Sequence, residues 1–271
     1  MSLRVLNIRS FEMKKFFLLF LFIVSTISVS AKDMRFVQVD SVMFSTYDMA
    51  SATRLENLVT DINKQKNVDF VVFSGNNISR PSKENLLGFI KITKKLNVPY
   101  YFILGNKDVN KQKHFGKNEY ITLLSRKVRT HKKIQSPNYV FEKNKYVFIV
   151  ADGSKDVIPT SSGYFRENVL TWLDEQLKLN SNKKVIILQH FPVVPPAEKE
   201  ARYTHKVEKY QEVLSKHNNV KAIISGNFGV NKEEMIDGVL HISTADAPMY
   251  RIIDILDYET ENPIFWSTIK Q

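Results

Sequence analysis

The strongest constraint on the fold is the alternation of short apolar runs with amphipathic helical segments in the first half of the chain. Three runs, Met34–Val39, Val68–Ser74 and Val98–Leu104, have the length and composition of buried strands. The intervening segment 52–66 carries apolar residues at spacings of three and four, and segment 81–97 opens with the helix-start pair Pro-Ser. Strands that alternate with helices in this way predict β-α-β units and a largely parallel sheet.

The second half of the chain adds a hairpin, two helices and several shorter strands. The segment Asn138–Asp152 has the pattern of a hairpin, and amphipathic helices are predicted over 166–180 and 203–219. Two further apolar strands end on His190 and Asn227, and short strands are predicted at 238–244, 249–256 and 263–269. Because the sequence shows no repeat, low-complexity tract or linker, we expect one mixed α/β domain.

The first 31 residues have the pattern of a secretory signal peptide. Lys14 and Lys15 precede the apolar run Phe16–Val24, and the small residues Val29-Ser30-Ala31 form a cleavage site. Residues 1–12 resemble an extension from an upstream start. We therefore predict a signal peptide at 1–31 and an exported domain, periplasmic or extracellular, at 32–271. The alternative is an uncleaved membrane anchor, although the apolar run is shorter than the ~20 residues of a membrane span.

Composition narrows the chemistry of this domain. The chain has no cysteine, which excludes disulfides, a thiol nucleophile and thiolate metal ligands. The net charge is +11, and the first 31 residues carry four basic residues and one acidic residue, which leaves +8 for the domain. The lysines are spread over predicted helices and turns, without a compact basic and aromatic block. This distribution favours a solvated surface over a nucleic-acid site, with an anionic envelope surface as a partner to consider.

Five predicted strands end in polar clusters. These are found in "VQVDSVMF", "VVFSGNNIS", "FILGNKDV", "IILQHFPVVPP" and "IISGNFGV". Gly-Asn pairs also suit ordinary tight turns, so one such cluster would carry no meaning. Polar residues past the carboxyl ends of several parallel strands, however, mark the crevice where α/β sheets bind ligands.

The order and spacing of these clusters resembles the calcineurin-like metallophosphoesterase family over roughly residues 34–257. The family pattern is Asp-x-His, Gly-Asp and Gly-Asn-His-Asp/Glu after three successive strands, followed by a lone His and by Gly-His-x-His. The resemblance implies an α/β fold of two sheets flanked by helices, in α-β-β-α layers. It also implies a pair of divalent metals, such as Mn, Fe or Zn, which activate a water molecule against a phosphoester.

Most of the family's chemical residues are substituted in this sequence. The acid of the third motif is kept as Asp108, but the family's general-acid His is Lys107. Only two of the seven metal-ligand positions keep the family residue, Asn106 and His190. The seven positions hold Ser41, Met43, Asn76, Asn106, His190, Asn227 and Gly229. The chain therefore resembles a degenerate member of the family.

These substitutions predict that no metal pair is bound. Two dications ~3.5–4 Å apart require anionic ligands, and Ser41 and Asn76 stand at both carboxylate positions. The thioether of Met43 suits neither Mg²⁺ nor Mn²⁺. Asp40 lies one residue before the expected acid, so the alternation of side chains along a strand would turn it to the other face unless a bulge redirects it. We accordingly expect no catalytic residue, with Lys107 and His190 as vestiges.

Lys107 instead suggests an anion site. An ammonium group with amide donors suits an anion better than a cation, and the predicted site consists of Asn76, Asn106, Lys107, His190 and Asn227. In the alternative, Lys107 pairs with Asp40 or Asp108 and simply neutralises the crevice. His190 before Phe-Pro also fits a hydrogen-bonded packing residue, which we favour over a functional one.

The sequence leaves three readings of function open. The first is an exported phosphoesterase-fold protein without catalytic activity, which is a pseudoenzyme or binds a small anion, a phosphorylated ligand or an anionic polymer. The second is an active phosphoester hydrolase with a rebuilt or mononuclear metal site that uses His190, Asn106, Asp108 and Asp40. The third is a structural envelope protein. The family fold alone does not decide among them.

Overall fold

The computed structural model describes residues 34–128, 134–198, 201–256 and 262–270. The predicted signal peptide at 1–31 lies outside the described residues. The helices are α1 (Met49–Lys64), α2 (Lys83–Thr93), α3 (Lys117–Lys127), α4 (Glu167–Leu179) and α5 (Val207–Ser215), with a 3-10 turn at Lys111–Lys113. The strands are β1 (Met34–Val39), β2 (Phe70–Phe73), β3 (Tyr100–Phe102), β4 (Tyr139–Lys143), β5 (Tyr146–Val150), β6 (Lys184–Leu188), β7 (Val220–Ser225), β8 (Lys232–Ile236), β9 (Val239–Ser243), β10 (Tyr250–Leu256) and β11 (Ile264–Lys270).

The strands form two mixed sheets. The first has the order β11-β10-β1-β2-β3, in which β1, β2 and β3 are parallel and β10 and β11 are antiparallel to their neighbours. The second has the order β4-β5-β6-β7-β9-β8, with β5, β6, β7 and β9 parallel. Both sheets are formed by strands between Met34 and Lys270, so a chain that begins at Lys32 contains the whole described fold.

Three apolar clusters pack the two sheets and the helices into layers. Phe36 and Phe70 stack in the first sheet and meet Phe148 of the second, which makes the central cluster a sheet-on-sheet core. A second cluster packs α1, α2 and α3 on the first sheet, and a third packs α4 and α5 on the second. Alternating side chains explain this arrangement, because β1 directs Phe36 to the central core and Val37 and Val39 to the helices. The predicted α-β-β-α sandwich is confirmed.

Most elements begin where the sequence indicates. The Asp48 carboxylate accepts from the Ala50 amide at the start of α1, and the Ser82 hydroxyl accepts from the Asn85 amide at the start of α2. The predicted hairpin is present as β4 and β5. Strand β8 was not predicted, because this edge strand is only half-buried and reads Lys-Glu-Glu-Met-Ile rather than as an apolar run.

The fold brings the carboxyl ends of β1, β2, β3, β6 and β7 to one edge of the sandwich. The Gln38 side-chain amide in the first sheet donates to the Ser225 carbonyl at the end of β7, at 2.8 Å, so the two sheets meet there directly. We call the space at this edge the crevice. Among the described residues, no helix has the length and apolar character needed to cross a membrane.

Candidate functional site

The buried carboxylate of Asp40 lies at the base of the crevice. It accepts from the Ser74 hydroxyl at 2.8 Å, from the Ser41 hydroxyl at 2.9 Å and from the Asn227 backbone amide at 2.9 Å, and it lies 3.5 Å from His190 Nδ1. The expectation that Asp40 faces away from the crevice is therefore wrong. Strand β1 ends at Val39 and Ser41 has a left-handed φ of 49°, so strand alternation no longer governs this position.

A series of buried hydrogen bonds leads to Asp40 from Arg251, which lies opposite Gln38 on the neighbouring strand β10. Arg251 Nε donates to Thr244 Oγ1 at 3.1 Å, and Thr244 Oγ1 donates to Gln38 Oε1 at 2.6 Å. Gln38 Nε2 donates to Ser74 Oγ at 3.1 Å, and Ser74 Oγ donates to Asp40. Every donor in this series is directed toward Asp40, and the series starts at a guanidinium group, so the hydrogen bonds polarise one another in the same sense.

Asp108 ties the loops after β2 and β3 together. Its oxygens accept from the backbone amides of Asn77 at 2.7 Å, Ile78 at 2.9 Å and Gly105 at 2.8 Å. Burial raises the pKa of Asp108 to about 6, while these amides and the charge of His190 act in the opposite direction. Asp108 is thus a structural residue within the loops.

Lys107 is exposed at the mouth of the crevice. Its backbone amide donates to Asn76 Oδ1 at 2.8 Å. Within the described ranges its ammonium group forms no ion pair, so the alternative in which it pairs with Asp40 or Asp108 is not what the structure shows. The charge of Lys107 is available to a ligand.

Several of the seven family positions use their polar atoms for contacts within the chain. Ser41 Oγ donates to Asp40, and Asn76 Oδ1 accepts from Lys107. Met43 offers a thioether and Gly229 has no side chain. The described residues contain no group of three or more His, Cys, Asp or Glu side chains placed to hold a metal ion.

The side chain of Asn227 does not face the predicted anion site. With a left-handed φ of 66°, it turns its side chain away, and Nδ2 donates to the carbonyls of Ser161 at 2.9 Å and Arg202 at 2.8 Å. Both hydrogen atoms of the amide are then used within the chain. Asn227 is therefore removed from the candidate anion site.

The two positions that keep the family residue have unused atoms. His190 Nδ1 lies 2.8 Å from the Ser74 carbonyl and must donate to it, while His190 Nε2 is buried without a hydrogen-bond partner. Asn106 Oδ1 is likewise buried without a partner. Within the part of the chain that the structure describes, neither atom has a hydrogen-bond partner.

Asp246 is a site residue that the sequence analysis missed. It follows β9, forms a backbone bridge with Asp40, and comes within 3.6 Å of the position that a Cβ on Gly229 would occupy. Burial and the negative charge of Asp40 raise the pKa of Asp246, whereas Ser41, Arg202 and His190 lower it. The available signal was "HISTAD", a sixth polar cluster past a strand end.

Comparison with known proteins identifies the family. The chain matches the family described as calcineurin-like phosphoesterase over residues 48–226. A relative from Arcobacter nitrofigilis, named as a probable glycerophosphodiester phosphodiesterase GpdQ, is 23% identical over 212 residues, which cover 73% of this chain and 70% of the relative. The family match starts after Ser41 and Met43 and stops before Asn227 and Gly229.

Solved structures share the fold. A dimetal phosphatase from Danio rerio has a TM-score of 0.64 at 18% identity and covers 82% of this chain and 95% of its own. GAP50, described as the anchor in the inner membrane complex of Plasmodium, has a TM-score of 0.59 at 12% identity, with 87% and 84% covered. With the family match over most of the domain, these findings show that the chain belongs to the calcineurin-like phosphoesterase family.

Proposed function

We propose that this protein is an exported calcineurin-like phosphoesterase-fold protein that binds an anionic, phosphate-bearing ligand without hydrolysing it. The observation that carries the proposal is the use of the family's ligand positions for contacts within the chain. Ser41, Asn76 and Asn227 all spend side-chain hydrogen bonds on neighbouring residues. The fold does not determine activity, since proteins of this fold include one named as a phosphatase and one named as an anchor.

The electrostatics of the crevice argue against a metal pair. The buried carboxylate, Asp40, is already hydrogen-bonded by Ser74, Ser41 and Asn227, so its lone pairs are directed into the protein. A dinuclear site would need a bridging carboxylate, and Asn76 at the family's bridging position is neutral, while Asp246, the other carboxylate near Asp40, follows β9. An ammonium group at position 107 would repel both dications.

The same features support an anion at the mouth of the crevice. Lys107 supplies a charge that no acidic side chain in the described ranges pairs with. Asn76 Oδ1 is engaged by the Lys107 amide, which leaves the Asn76 amino group as a donor, and Arg202 adds a cation beside Asn227 at 3.5 Å. A single charge-assisted hydrogen bond contributes roughly 1.5–3 kcal/mol, so Lys107 with its neighbouring donors supports weak binding, on the order of millimolar.

Titration with inorganic phosphate tests this proposal. We expect the chain that begins at Lys32 to bind phosphate by calorimetry or NMR, and Lys107→Ala to abolish the binding. Lys111→Ala is the matched control, because Lys111 is an exposed lysine in the neighbouring 3-10 turn and should leave the affinity unchanged. Absence of binding in the parent, or equal loss in both variants, would contradict the proposal.

One observation favours a second candidate, a hydrolase with a mononuclear or rebuilt metal site. His190 Nε2 and Asn106 Oδ1 are buried and unpartnered, and both could ligate one ion. Elemental analysis after incubation with Mn²⁺, Fe²⁺ or Zn²⁺, with hydrolysis of a generic phosphodiester, separates the candidates. One metal per chain together with turnover would support the hydrolase and refute the binding protein.

A further inference from the structure

The edge of the sandwich opposite the crevice carries a group of exposed lysines. The parallel strands begin at this edge and α1, α2 and α4 end there, and we call it the strand-start face. Its exposed basic side chains without an ion pair in the described part of the chain are Lys64, Lys66, Lys94 and Lys178. None of these lysines is Lys107, and the strand-start face is separate from the crevice.

Contacts join this face across both sheets. The guanidinium group of Arg35, in β1, donates to the Lys66 carbonyl after α1 at 3.1 Å. Lys143, in the second sheet, pairs with Asp69 before β2 at 3.2 Å. Lys221, in β7, contacts Asn262 before β11 at 3.2 Å. These contacts connect segments of both sheets at the edge where α1, α2 and α4 end.

Three acidic residues of the face have basic partners, whereas the exposed Asp237, in the turn before β9, forms no ion pair within the described ranges. Asp69 pairs with Lys143, Glu142 with Lys183 and Asp254 with Arg35. The connection between β10 and β11 adds three further acids to the sequence, Asp257, Glu259 and Glu261. The unpaired lysines at the helix ends still give the described part of the face a surplus of positive charge.

Exposed apolar side chains lie on the same face. Leu179 follows Lys178 at the end of α4 and is 74% exposed. Ile264 opens β11 and is 52% exposed, and Trp266, which lies opposite Asp254 in the next strand, is 64% exposed. Lysines interleaved with exposed leucine, isoleucine and tryptophan fit the headgroup region of a bilayer, where charge and apolar surface are both satisfied.

The position at which β1 begins indicates what the strand-start face binds. Met34 opens β1 at this face, opposite Ile255 in β10. The apolar run Phe16–Val24 precedes Met34 by nine residues, which span at most ~30 Å when extended. Before cleavage, or in the alternative in which the run stays as an uncleaved anchor, a membrane-inserted run would hold this face, and not the crevice, against the bilayer. We propose that the strand-start face docks on a lipid bilayer that contains anionic headgroups, with the crevice directed away from it.

Vesicle binding by the chain that begins at Lys32 tests the face without the apolar run. We expect co-sedimentation with equimolar POPG and POPC vesicles at low salt, loss of binding at 0.5 M NaCl, and little binding to POPC alone. Changing Lys64, Lys66, Lys94 and Lys178 to Gln should weaken binding at least tenfold. The matched control changes Lys83, Lys111, Lys113 and Lys209 to Gln, exposed lysines on the crevice side with the same total charge, and should weaken it less than threefold.

A second readout reports orientation. In a Trp172→Phe background Trp266 is the remaining tryptophan, and its emission should shift to the blue with POPG-containing vesicles but not with POPC. Equal loss in the two quadruple variants, an unchanged Trp266 emission, or binding to dextran sulfate without binding to vesicles would overturn the proposal. The last outcome would identify an anionic polymer as the partner.

Discussion

The carboxylate of Asp40 accepts a hydrogen bond from the backbone amide of Asn227 at 2.9 Å, across the junction of the two sheets. Asp40 follows β1 of the first sheet, and Asn227 follows β7 of the second. A position next to the family's first ligand thus serves to join the layers. The residues of the crevice can be tested as structural elements as well as ligand-binding ones.

Gly226 should tolerate no side chain while Asp40 is present. A Cβ on Gly226 would fall inside the Asp40 carboxylate, so we expect Gly226→Ala to lower the free energy of unfolding by roughly 2–3 kcal/mol. Urea denaturation measures this change. Combining it with Asp40→Ala should recover roughly 1–3 kcal/mol relative to additivity. Gly238→Ala is the control, because Gly238 has a φ of 78° but a Cβ at this position would meet no atom within 4 Å. Strictly additive effects of Gly226→Ala and Asp40→Ala on the free energy of unfolding would contradict the predicted clash.

Asp108 should make the folded state more stable at acidic pH than at neutral pH. Its pKa is raised to about 6 by burial, so between its unfolded value and pH 6 the folded state holds the proton more tightly. The contribution of Asp108 to the free energy of unfolding is full below pH 4 and is lost as pH rises through 6. The pKa difference between the unfolded and folded states corresponds to roughly 3 kcal/mol. The difference in unfolding free energy between the parent and Asp108→Asn should therefore grow in favour of the parent from pH 7 to pH 4. A difference that is independent of pH would refute the assignment.

Substitution of Arg251 should lower the free energy of unfolding more than substitution of an exposed arginine. Its buried guanidinium group contacts Glu233 and Ser267, and it donates to the Ser243 carbonyl at 3.0 Å. Arg251→Ala removes the guanidinium donor from Thr244 Oγ1 and from the Ser243 carbonyl, and it leaves Glu233 with the Ser267 hydroxyl as a donor but without its counter-charge. We expect a loss of roughly 3–5 kcal/mol in urea denaturation. Arg54→Ala is the control, because Arg54 forms an exposed pair with Asp48 and should cost less than about 1 kcal/mol. Similar losses in both variants would show that burial of Arg251 does not set its contribution.

Restoring the family residue at position 107 should not create a hydrolase. Lys107→His supplies the family's general-acid residue but adds no carboxylate, so Ser41 and Asn76 still leave the metal pair without its anionic ligands. We expect no stoichiometric metal by elemental analysis after incubation with Mn²⁺ and no turnover of a phosphodiester. Metal binding and turnover by Lys107→His would show that the substitution at 107 alone had silenced the site.

The sequence predicts the frame of this protein better than its crevice. Buried strands such as β1 and helices such as α1 depend on local periodicity, and both were found close to their predicted bounds. Strand β8 depends on pairing with β9 and on the Arg251 to Glu233 contact, neither of which is visible locally. The orientations of Asp40 and Asn227 were mispredicted because both depend on left-handed backbone at or next to the residue and on partners far away in the chain.

The two hydrogen bonds of the Asn227 side chain affect how this crevice could be re-engineered. They hold the carbonyls of Ser161 and Arg202, so a histidine at position 227 would release two loops before it could reach an ion. An aspartate at position 41 would set a second carboxylate beside Asp40, where the Ser41 hydroxyl now donates. Single reversions would therefore each lower stability with no gain in metal affinity, and a designer seeking the metal centre would have to change these positions and their partners together.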